Sequence, residues 1–214
     1  MLTLYSDPVS LYCAKVRVAL RAKRVPYEAL PPPGGYGSAV YRAMVPAGNL
    51  PALDHDGLLI ADSEAIVEYV DEVFDGPALL PATPALRARM RARGRFHDTR
   101  FEPEVRALFG QVAPTTRDAA HVAARGEALQ ARLEQFAQAL AGDPPMAFGA
   151  GDCGWPVSFW WLDRIAPVVG IALDWPEAVR AYRARIEAEP AVAAEYADYA
   201  PAMDGWMAIK LAAG

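Results

Sequence analysis

The N-terminal residues change from the alternating pattern of a strand to the spacing of a helix. The segment Leu2–Tyr5 predicts a short strand, and Leu11–Lys23 predicts a helix because apolar residues recur in it at helical spacing. Residues 25–30 predict a second extended segment. Residues 31–37 predict a loop, since their prolines lack a backbone N–H donor and their glycines permit turns.

A hairpin and a second helix are predicted next. Apolar runs at residues 50–53 and 58–60 flank Asp54-His55-Asp56-Gly57, and Asp-Gly between apolar runs is typical of a hairpin turn. A helix follows from residue 63 to about residue 74. Its predicted apolar stripe is Ile66, Tyr69, Val70 and Val73, and its predicted outward residues are Glu64, Glu68 and Asp71. This order of elements is that of a thioredoxin-like domain.

The second half of the chain carries helical patterns. Prolines within residues 77–84 predict a linker, so we expect a thioredoxin-like domain over residues 1–76, a linker over 77–84 and an all-α domain over 85–214. Two sets of apolar residues recur at steps of three and four: Leu129, Leu133, Phe136 and Leu140, and then Val179, Tyr182 and Ile186. Charges and prolines within the apolar residues 155–173 favour a buried core helix over a membrane span.

Composition and charge exclude several classes of protein. The chain has 214 residues, 53% of them hydrophobic and 22% charged, which is enough to bury a sizeable core. A net charge of −5 argues against neutralisation of nucleic-acid phosphates, so we expect no nucleic-acid partner. The N-terminus shows no basic segment followed by an apolar one. We therefore expect no signal peptide, no membrane partner and a cytoplasmic location.

The cysteines and histidines suggest neither a disulfide framework nor a metal site. Cys13 and Cys153 are far apart and form no Cys-x-x-Cys motif. The three histidines, His55, His97 and His121, are not clustered in the sequence. We expect reduced thiols and no metal.

The loop between the first strand and the first helix is the first candidate site. A strand followed by a short loop and a helix places the loop residues at the helix N-terminus, where unpaired N–H groups and the helix dipole favour an anion. Such a place stabilises a nearby sulfur as the thiolate, which is the nucleophilic form of a thiol. Ser10 lies at this position and can add a hydroxyl donor.

Three segments together resemble the N-terminal domain of the cytosolic glutathione transferases. They are residues 10–20, which begin Ser-Leu-Tyr-Cys-Ala-Lys-Val-Arg, the pair Leu50-Pro51, and the pair Asp62-Ser63. In serine-type members the catalytic hydroxyl lies six residues before the Val of this segment, which corresponds to Ser10. Tyr5 and Ser6, near the position of the phenol in tyrosine-type members, remain alternatives. A further alternative is that Ser10 only caps the helix.

The resemblance also implies how glutathione is bound as the cosubstrate. Leu50-Pro51 corresponds to a turn with a cis proline, where the backbone of Leu50 pairs with the cysteinyl unit like an added strand. Asn49 stands where the family often contacts the glycine end. Asp62 would face the γ-glutamyl ammonium, and Ser63 with the helix N-terminus would take the carboxylate. The alternative for this last pair is an N-cap without a ligand.

The second substrate of such a protein is expected between the two domains. Candidates by position are Tyr12, Tyr36, Phe96, Arg100, Phe101 and Phe109, although aromatic residues on helices more often belong to the core. The family usually begins its central buried helix with a Ser/Thr-x-x-Asp capping box. We align this box with residues 154–157, Gly-Trp-Pro-Val, which predicts that the capping aspartate is absent.

The resemblance implies an activated thiolate that attacks a hydrophobic electrophile. Conjugation, dehalogenation, ether cleavage and isomerisation all use such a thiolate, and zeta-type isomerases are disfavoured because their Ser-Ser-Cys run is Ser10-Leu11-Tyr12 here. A rival is a non-enzymatic member that carries ligands or binds partners. A third interpretation is a thiol oxidoreductase that uses Cys13. Family members are commonly homodimers, so we expect one.

Overall fold

The first part of the molecule is a four-stranded mixed sheet. The computed structural model describes residues 1–213. Its strands β1 (Leu2–Tyr5), β2 (Glu28–Leu30), β3 (Ala52–His55) and β4 (Leu58–Ile60) lie in the order β2-β1-β3-β4. β1 is parallel to β2, and β3 is antiparallel to both β1 and β4. The predicted thioredoxin-like arrangement and the predicted hairpin are confirmed.

Three helices accompany this sheet: α1 (Leu11–Lys23), α2 (Ala39–Met44) and α3 (Ser63–Val73). The short helix α2 has no counterpart among the predicted elements. The predicted faces of α3 are partly wrong. Glu64 is only 8% exposed and pairs with Lys15 of α1, whereas Val73 is 48% exposed. The side chain of Asp71, also predicted outward, is 11% exposed and pairs at 2.8 Å with the buried Lys23. A buried cation on the neighbouring helix, which the local pattern of α3 does not reveal, makes Glu64 an inward residue.

The rest of the described chain is helical, as predicted. It contains α4 (Pro84–Phe96), α5 (Glu102–Ala107), α6 (Ala119–Ala141), α7 (Trp155–Val169), α8 (Glu177–Glu187) and α9 (Pro190–Ala212). A π-helical turn, His97–Phe101, joins α4 directly to α5. None of the helices within residues 1–213 is long and apolar enough to cross a membrane.

The capping aspartate predicted to be absent is present at another position. Asp152, three residues before α7, is fully buried and accepts a hydrogen bond from the backbone N–H of Gly149 at 3.1 Å. Its carboxylate also accepts from Arg93 Nη1 at 2.9 Å and from the Tyr182 hydroxyl at 2.7 Å. The alignment with residues 154–157 was therefore wrong in register. Gly149 occupies the Ser/Thr position of the box and has no side chain to accept a hydrogen bond. The other half of the box, the bond from the Gly149 N–H to the Asp152 carboxylate, is present.

Buried ion pairs join the sheet domain to the helical part. We call Lys15–Asp98 and Arg17–Glu195, together with the adjoining Lys15–Glu64, the seam pairs. Lys15 is 1% exposed and pairs with Glu64 and with Asp98 of the π-helical turn, the latter at 2.7 Å. Arg17 pairs at 2.8 Å with Glu195 of α9, which is fully buried. Because each charge lies next to its opposite, the desolvation of the ions is offset in the folded state.

The seam makes stability depend on pH through Asp98. Burial raises the pKa of Asp98, but a hydrogen bond from His97 and the charge of Lys15 outweigh it and lower the pKa to about 2. An unfolded aspartate has a pKa near ~3.9, so the unfolded chain takes up the proton first as the pH falls. The stabilisation is complete above about pH 5 and is lost as the pH falls toward about pH 2.

We expect Asp98 to contribute about 2 kcal/mol of acid-sensitive stability, given this difference in pKa. Urea unfolding of the wild type and of Asp98→Asn at several pH values measures it. The free energy of unfolding of the wild type should fall more steeply with acid than that of the variant. Parallel curves for the two proteins would contradict the expectation.

Candidate functional site

Ser10 caps the helix that follows the first strand. It has an extended backbone (φ −72°, ψ 127°), and its Oγ accepts a hydrogen bond from the N–H of Cys13 at 3.3 Å. The side chain is half-buried and lines a cleft. The hydroxyl hydrogen is not used in this contact and is free to donate to an anion in front of the helix N-terminus.

The loop that carries Ser10 is held from behind by Arg17. The guanidinium of Arg17 donates to Ser6 Oγ at 2.7 Å and to the carbonyls of Asp7 and Pro8, both at 3.3 Å. The Tyr199 hydroxyl of α9 donates to the carbonyl of Val9. Helix α9 therefore fixes the position of a loop that belongs to the other domain.

This arrangement distinguishes the three hydroxyls considered for thiol activation. Ser6 is 7% exposed and is occupied by Arg17. Tyr5 lies in β1 with its ring 6.1 Å from that of Tyr41. Of these three side chains, Ser10 alone lines the cleft.

The strand register brings the three sequence motifs to one edge of the sheet. Tyr5, the last residue of β1, lies opposite Ala52, the first of β3, and Leu53 lies opposite Ile60, the last of β4. Since β3 runs antiparallel to both neighbours, the ends of β1 and β4 share an edge with the start of β3. The connecting segments at this edge carry Ser10, Leu50-Pro51 and Asp62-Ser63.

The turn before β3 has the predicted geometry. The Leu50-Pro51 peptide bond is cis, which confirms the prediction. The buried Tyr41 of α2 donates its hydroxyl to the carbonyl of Asn49 at 2.9 Å and so holds the turn. Asn49 itself is exposed and lines the cleft together with Leu50.

The acidic pair before α3 forms a helix N-terminus at the same edge. Asp62 Oδ1 accepts hydrogen bonds from the backbone N–H groups of Glu64 and Ala65, each at 3.0 Å. Ser63 is the first residue of the helix and is 8% exposed. Asp62 therefore acts as the N-cap that sequence reasoning named as the alternative, and this role leaves its second carboxylate oxygen for another contact.

The cleft in front of Ser10 has a volume of about 560 Å³ and is formed by both domains. Of the residues predicted for the second substrate, Tyr12, Tyr36 and Phe109 line it. Sequence reasoning missed six further lining residues: Asp7, Val9 and Leu11 beside Ser10, and Glu102, Arg106 and Trp206 from the helical part. Glu102 and Arg106 are four residues apart on α5, a spacing that favours an ion pair and was the available signal. Trp206 comes from α9 through tertiary packing.

Three predicted pocket residues lie elsewhere. Phe101 is fully buried, with its ring 5.0 Å from that of Trp155, and Phe96 stacks at 6.2 Å on the same tryptophan. Arg100 is exposed and lies outside the cleft lining. Arg100 and Phe101 lie in the π-helical turn, which has about one more residue per turn than an α-helix, so the direction of their side chains differs from that expected for an α-helix.

Tyr12 connects the two domains beside Ser10. Its hydroxyl donates to Glu102 Oε2 at 2.8 Å, and the second oxygen of Glu102 accepts from Arg106 Nε, also at 2.8 Å. Burial, followed by the negative charge of Glu102, raises the pKa of the Tyr12 phenol. The phenol therefore remains a neutral donor at physiological pH.

The two thiols are inert structural groups. Cys13 and Cys153 are fully buried, and burial is the main cause that raises the pKa of each thiol. A buried, protonated thiol is a poor nucleophile, which argues against the thiol oxidoreductase. Within residues 1–213, no group of three or more His, Cys, Asp or Glu side chains is arranged to hold a metal ion.

Sequence comparisons find relatives with several names. The family model for the glutathione S-transferase N-terminal domain matches residues 4–78. A stringent starvation protein A homolog of Pasteurella multocida is 36% identical over 91 residues, which cover 42% of this chain and 43% of the relative. A probable glutathione S-transferase of Oryza sativa is 33% identical over 159 residues, covering 71% of this chain and 64% of the relative. The chain thus spans less than half the length of the first curated relatives that it matches.

Solved structures resemble this chain over most of its length. A glutathione S-transferase III in apo form is 27% identical with a TM-score of 0.78, covering 92% of this chain and 95% of that one. A theta class glutathione S-transferase from Xanthomonas axonopodis pv. citri, with glutathione bound, is 26% identical with a TM-score of 0.74, covering 91% and 96% of the two chains. Both likenesses extend through the sheet and the helical part.

Proposed function

Since this chain belongs to the cytosolic glutathione transferase superfamily, we propose that it binds glutathione in the cleft and that Ser10 stabilises the thiolate. The observation that carries this proposal is the position of Ser10. Its hydroxyl caps α1, faces the cleft formed by both domains and lies at the sheet edge shared with Leu50-Pro51 and Asp62-Ser63.

Three groups of contacts would hold the tripeptide. The backbone of Leu50, a residue of the cleft lining, pairs with the cysteinyl unit like an added strand. Asp62 attracts the γ-glutamyl ammonium, while Ser63 and the N-terminus of α3 bind the γ-glutamyl carboxylate. Asn49 reaches the glycine end with a neutral amide, which binds a carboxylate less strongly than a cation does.

The chemistry proposed is nucleophilic attack by sulfur. Ser10 donates its hydroxyl hydrogen to the thiolate, and the dipole of α1 adds a positive potential, so the bound thiol loses its proton near neutral pH. The thiolate then attacks an electrophilic carbon held against the apolar wall of the cleft. A new C–S bond forms while the leaving group departs with its electron pair or a π bond accepts the electrons.

Calorimetric titration with glutathione and with S-methylglutathione tests this proposal. Saturable binding of both compounds supports a glutathione site. If glutathione reacts faster with an aryl halide in the presence of the protein than in its absence, the transferase is supported. A protein that binds neither compound is not an enzyme of this kind.

A non-enzymatic interaction protein is the second candidate. The observation that favours it is the similarity over 91 residues to stringent starvation protein A homologs, a name that states no enzymatic activity. Such a protein would show no saturable glutathione binding in the same titration. For either function we propose a homodimer, as the family resemblance implies, and light scattering in solution measures its mass.

Asp62→Ala should weaken glutathione binding about tenfold, because the γ-glutamyl ammonium loses its charged partner. It should also lower the free energy of unfolding by about 1 kcal/mol through loss of the helix cap. Calorimetry with glutathione and urea unfolding measure the two effects.

The matched control is Asp118→Ala. Asp118 caps α6 in the same way, with its Oδ1 accepting from the N–H groups of Ala120 and His121 at 2.9 and 3.1 Å. It belongs to the helical part and not to the sheet edge that carries Asp62. It should lose similar stability and keep its glutathione affinity. Equal affinities in the two variants would mean that Asp62 is only a cap.

A further inference from the structure

Arg106 places one positive charge in the wall of the cleft. Of the described residues that line the cleft, it is the only Lys or Arg, and its side chain is 57% exposed at the rim. The other charged residues of the lining are Asp7 and Glu102. An accessible cation beside a thiolate site invites an anionic group on the ligand that enters the cleft.

The guanidinium is held in place by a buried carboxylate. Glu102 is fully buried, and its Oε1 accepts from Arg106 Nε at 2.8 Å while its Oε2 accepts from the Tyr12 hydroxyl. Both oxygens are therefore occupied, and the charge of Glu102 is compensated. Anchoring through Nε fixes the plane of the guanidinium and leaves the terminal amino groups as a fork for a carboxylate.

An aromatic surface lies next to this fork. Phe109 follows Arg106 by three residues, and its ring lies 5.2 Å from that of Trp206 and 4.6 Å from that of Trp161. Phe109 and Trp206 both line the cleft. A flat apolar group can pack on these rings while an attached carboxylate reaches Arg106.

We propose that the second substrate is an aromatic or similarly flat electrophile that carries a carboxylate, with Arg106 as the residue that selects the carboxylate. This inference rests on the proposed function, because the attacking thiolate is that of glutathione beside Ser10. With an aryl chloride as substrate, the sulfur forms a bond to the carbon that bears chlorine. Chloride then leaves with the bonding electron pair, so the carboxylate is not consumed.

A matched pair of substrates tests the selection. We compare a chlorodinitrobenzoate with its methyl ester, which keeps the ring, the nitro groups and the leaving group but removes the negative charge. For Arg106→Gln, kcat/KM for the acid should fall about 10- to 100-fold, mainly through KM, while that for the ester changes less than about twofold. Arg106→Lys should recover part of the loss, since it keeps the charge without the planar fork.

Arg100→Gln is the matched control, because it removes an exposed arginine of the same helical segment that lies outside the cleft lining. It should leave both substrates unaffected. Calorimetry with the two finished glutathione conjugates, acid and ester, repeats the comparison without turnover. Tighter binding of the acid conjugate that disappears in Arg106→Gln supports the selection.

Two results would overturn the inference and leave the proposed function in place. One is an equal decrease of kcat/KM for the acid and for the ester in Arg106→Gln. The other is a raised KM for glutathione in that variant with both substrates, which would assign Arg106 to the tripeptide instead. Failure of wild-type protein to bind glutathione or either conjugate would overturn the proposed function together with the inference.

Discussion

Ser10→Ala should raise the pKa of the bound glutathione thiol by about 1 to 2 units. The reason is that the hydrogen bond from the Ser10 hydroxyl stabilises the charged thiolate more than the neutral thiol. The fraction of thiolate at neutral pH then falls, and kcat/KM with an aryl halide should drop about 100-fold. The ultraviolet absorbance of the thiolate, followed against pH in the wild type and the variant, measures the pKa directly.

The cap that Ser10 provides to α1 must be separated from its effect on sulfur. Thr83→Ala removes a similar cap, since Thr83 Oγ1 accepts from the N–H of Leu86 at the start of α4, and Thr83 is outside the cleft lining. Both variants should lose about 1 kcal/mol of stability, and only Ser10→Ala should change the thiol pKa. An unchanged thiol pKa in Ser10→Ala would reduce Ser10 to a helix cap.

Lys15→Met should destabilise the fold by about 3–5 kcal/mol, because it leaves the carboxylates of Glu64 and Asp98 buried without their cation. Lys15 is 1% exposed, and the side chains of its two partners are 11% and 9% exposed. Water therefore does little to replace the lost charge. Urea unfolding followed by circular dichroism measures the change in the free energy of unfolding.

The control for this variant is an exposed ion pair between two helices. Arg164 and Asp204 lie 3.0 Å apart with side chains 44% and 58% exposed. Arg164→Met should cost less than about 1 kcal/mol, since solvent screens the pair. If Lys15→Met lowers the free energy of unfolding as little as the control does, the carboxylates of Glu64 and Asp98 are solvated or protonated in the variant. They would then not be buried charges without a partner.

The sequence was sufficient for the elements whose pattern is local. Strands, hairpin and long helices follow from apolar spacing and from turn residues such as Asp56-Gly57, and the structure confirms them. The six-residue α2 was missed because it has too few turns to show a periodic stripe. Glu64 was placed outward because its inward position depends on Lys15, a residue distant in the sequence.

The site also contains residues that belong to local sequence motifs and residues that only tertiary packing brings there. Ser10, Leu50-Pro51 and Asp62-Ser63 lie in three short sequence motifs, so the family resemblance was enough to propose them. The structure brings them to one edge of the sheet. The wall of the cleft that the helical part provides was predicted only in part, through Phe109. Phe101 was misplaced because the π-helical turn shifts the helical phase, and Trp206 reaches the cleft only through the packing of α9.

The seam pairs limit how far the two domains can be exchanged between related proteins. A chimera with its crossover in residues 77–83 would set Lys15 and Arg17 against a foreign helical part. Unless that part carries carboxylates at the positions of Asp98 and Glu195, cations would be buried without partners. Domain shuffling in this protein therefore requires the acidic residues of the helical part to travel with the basic residues of α1.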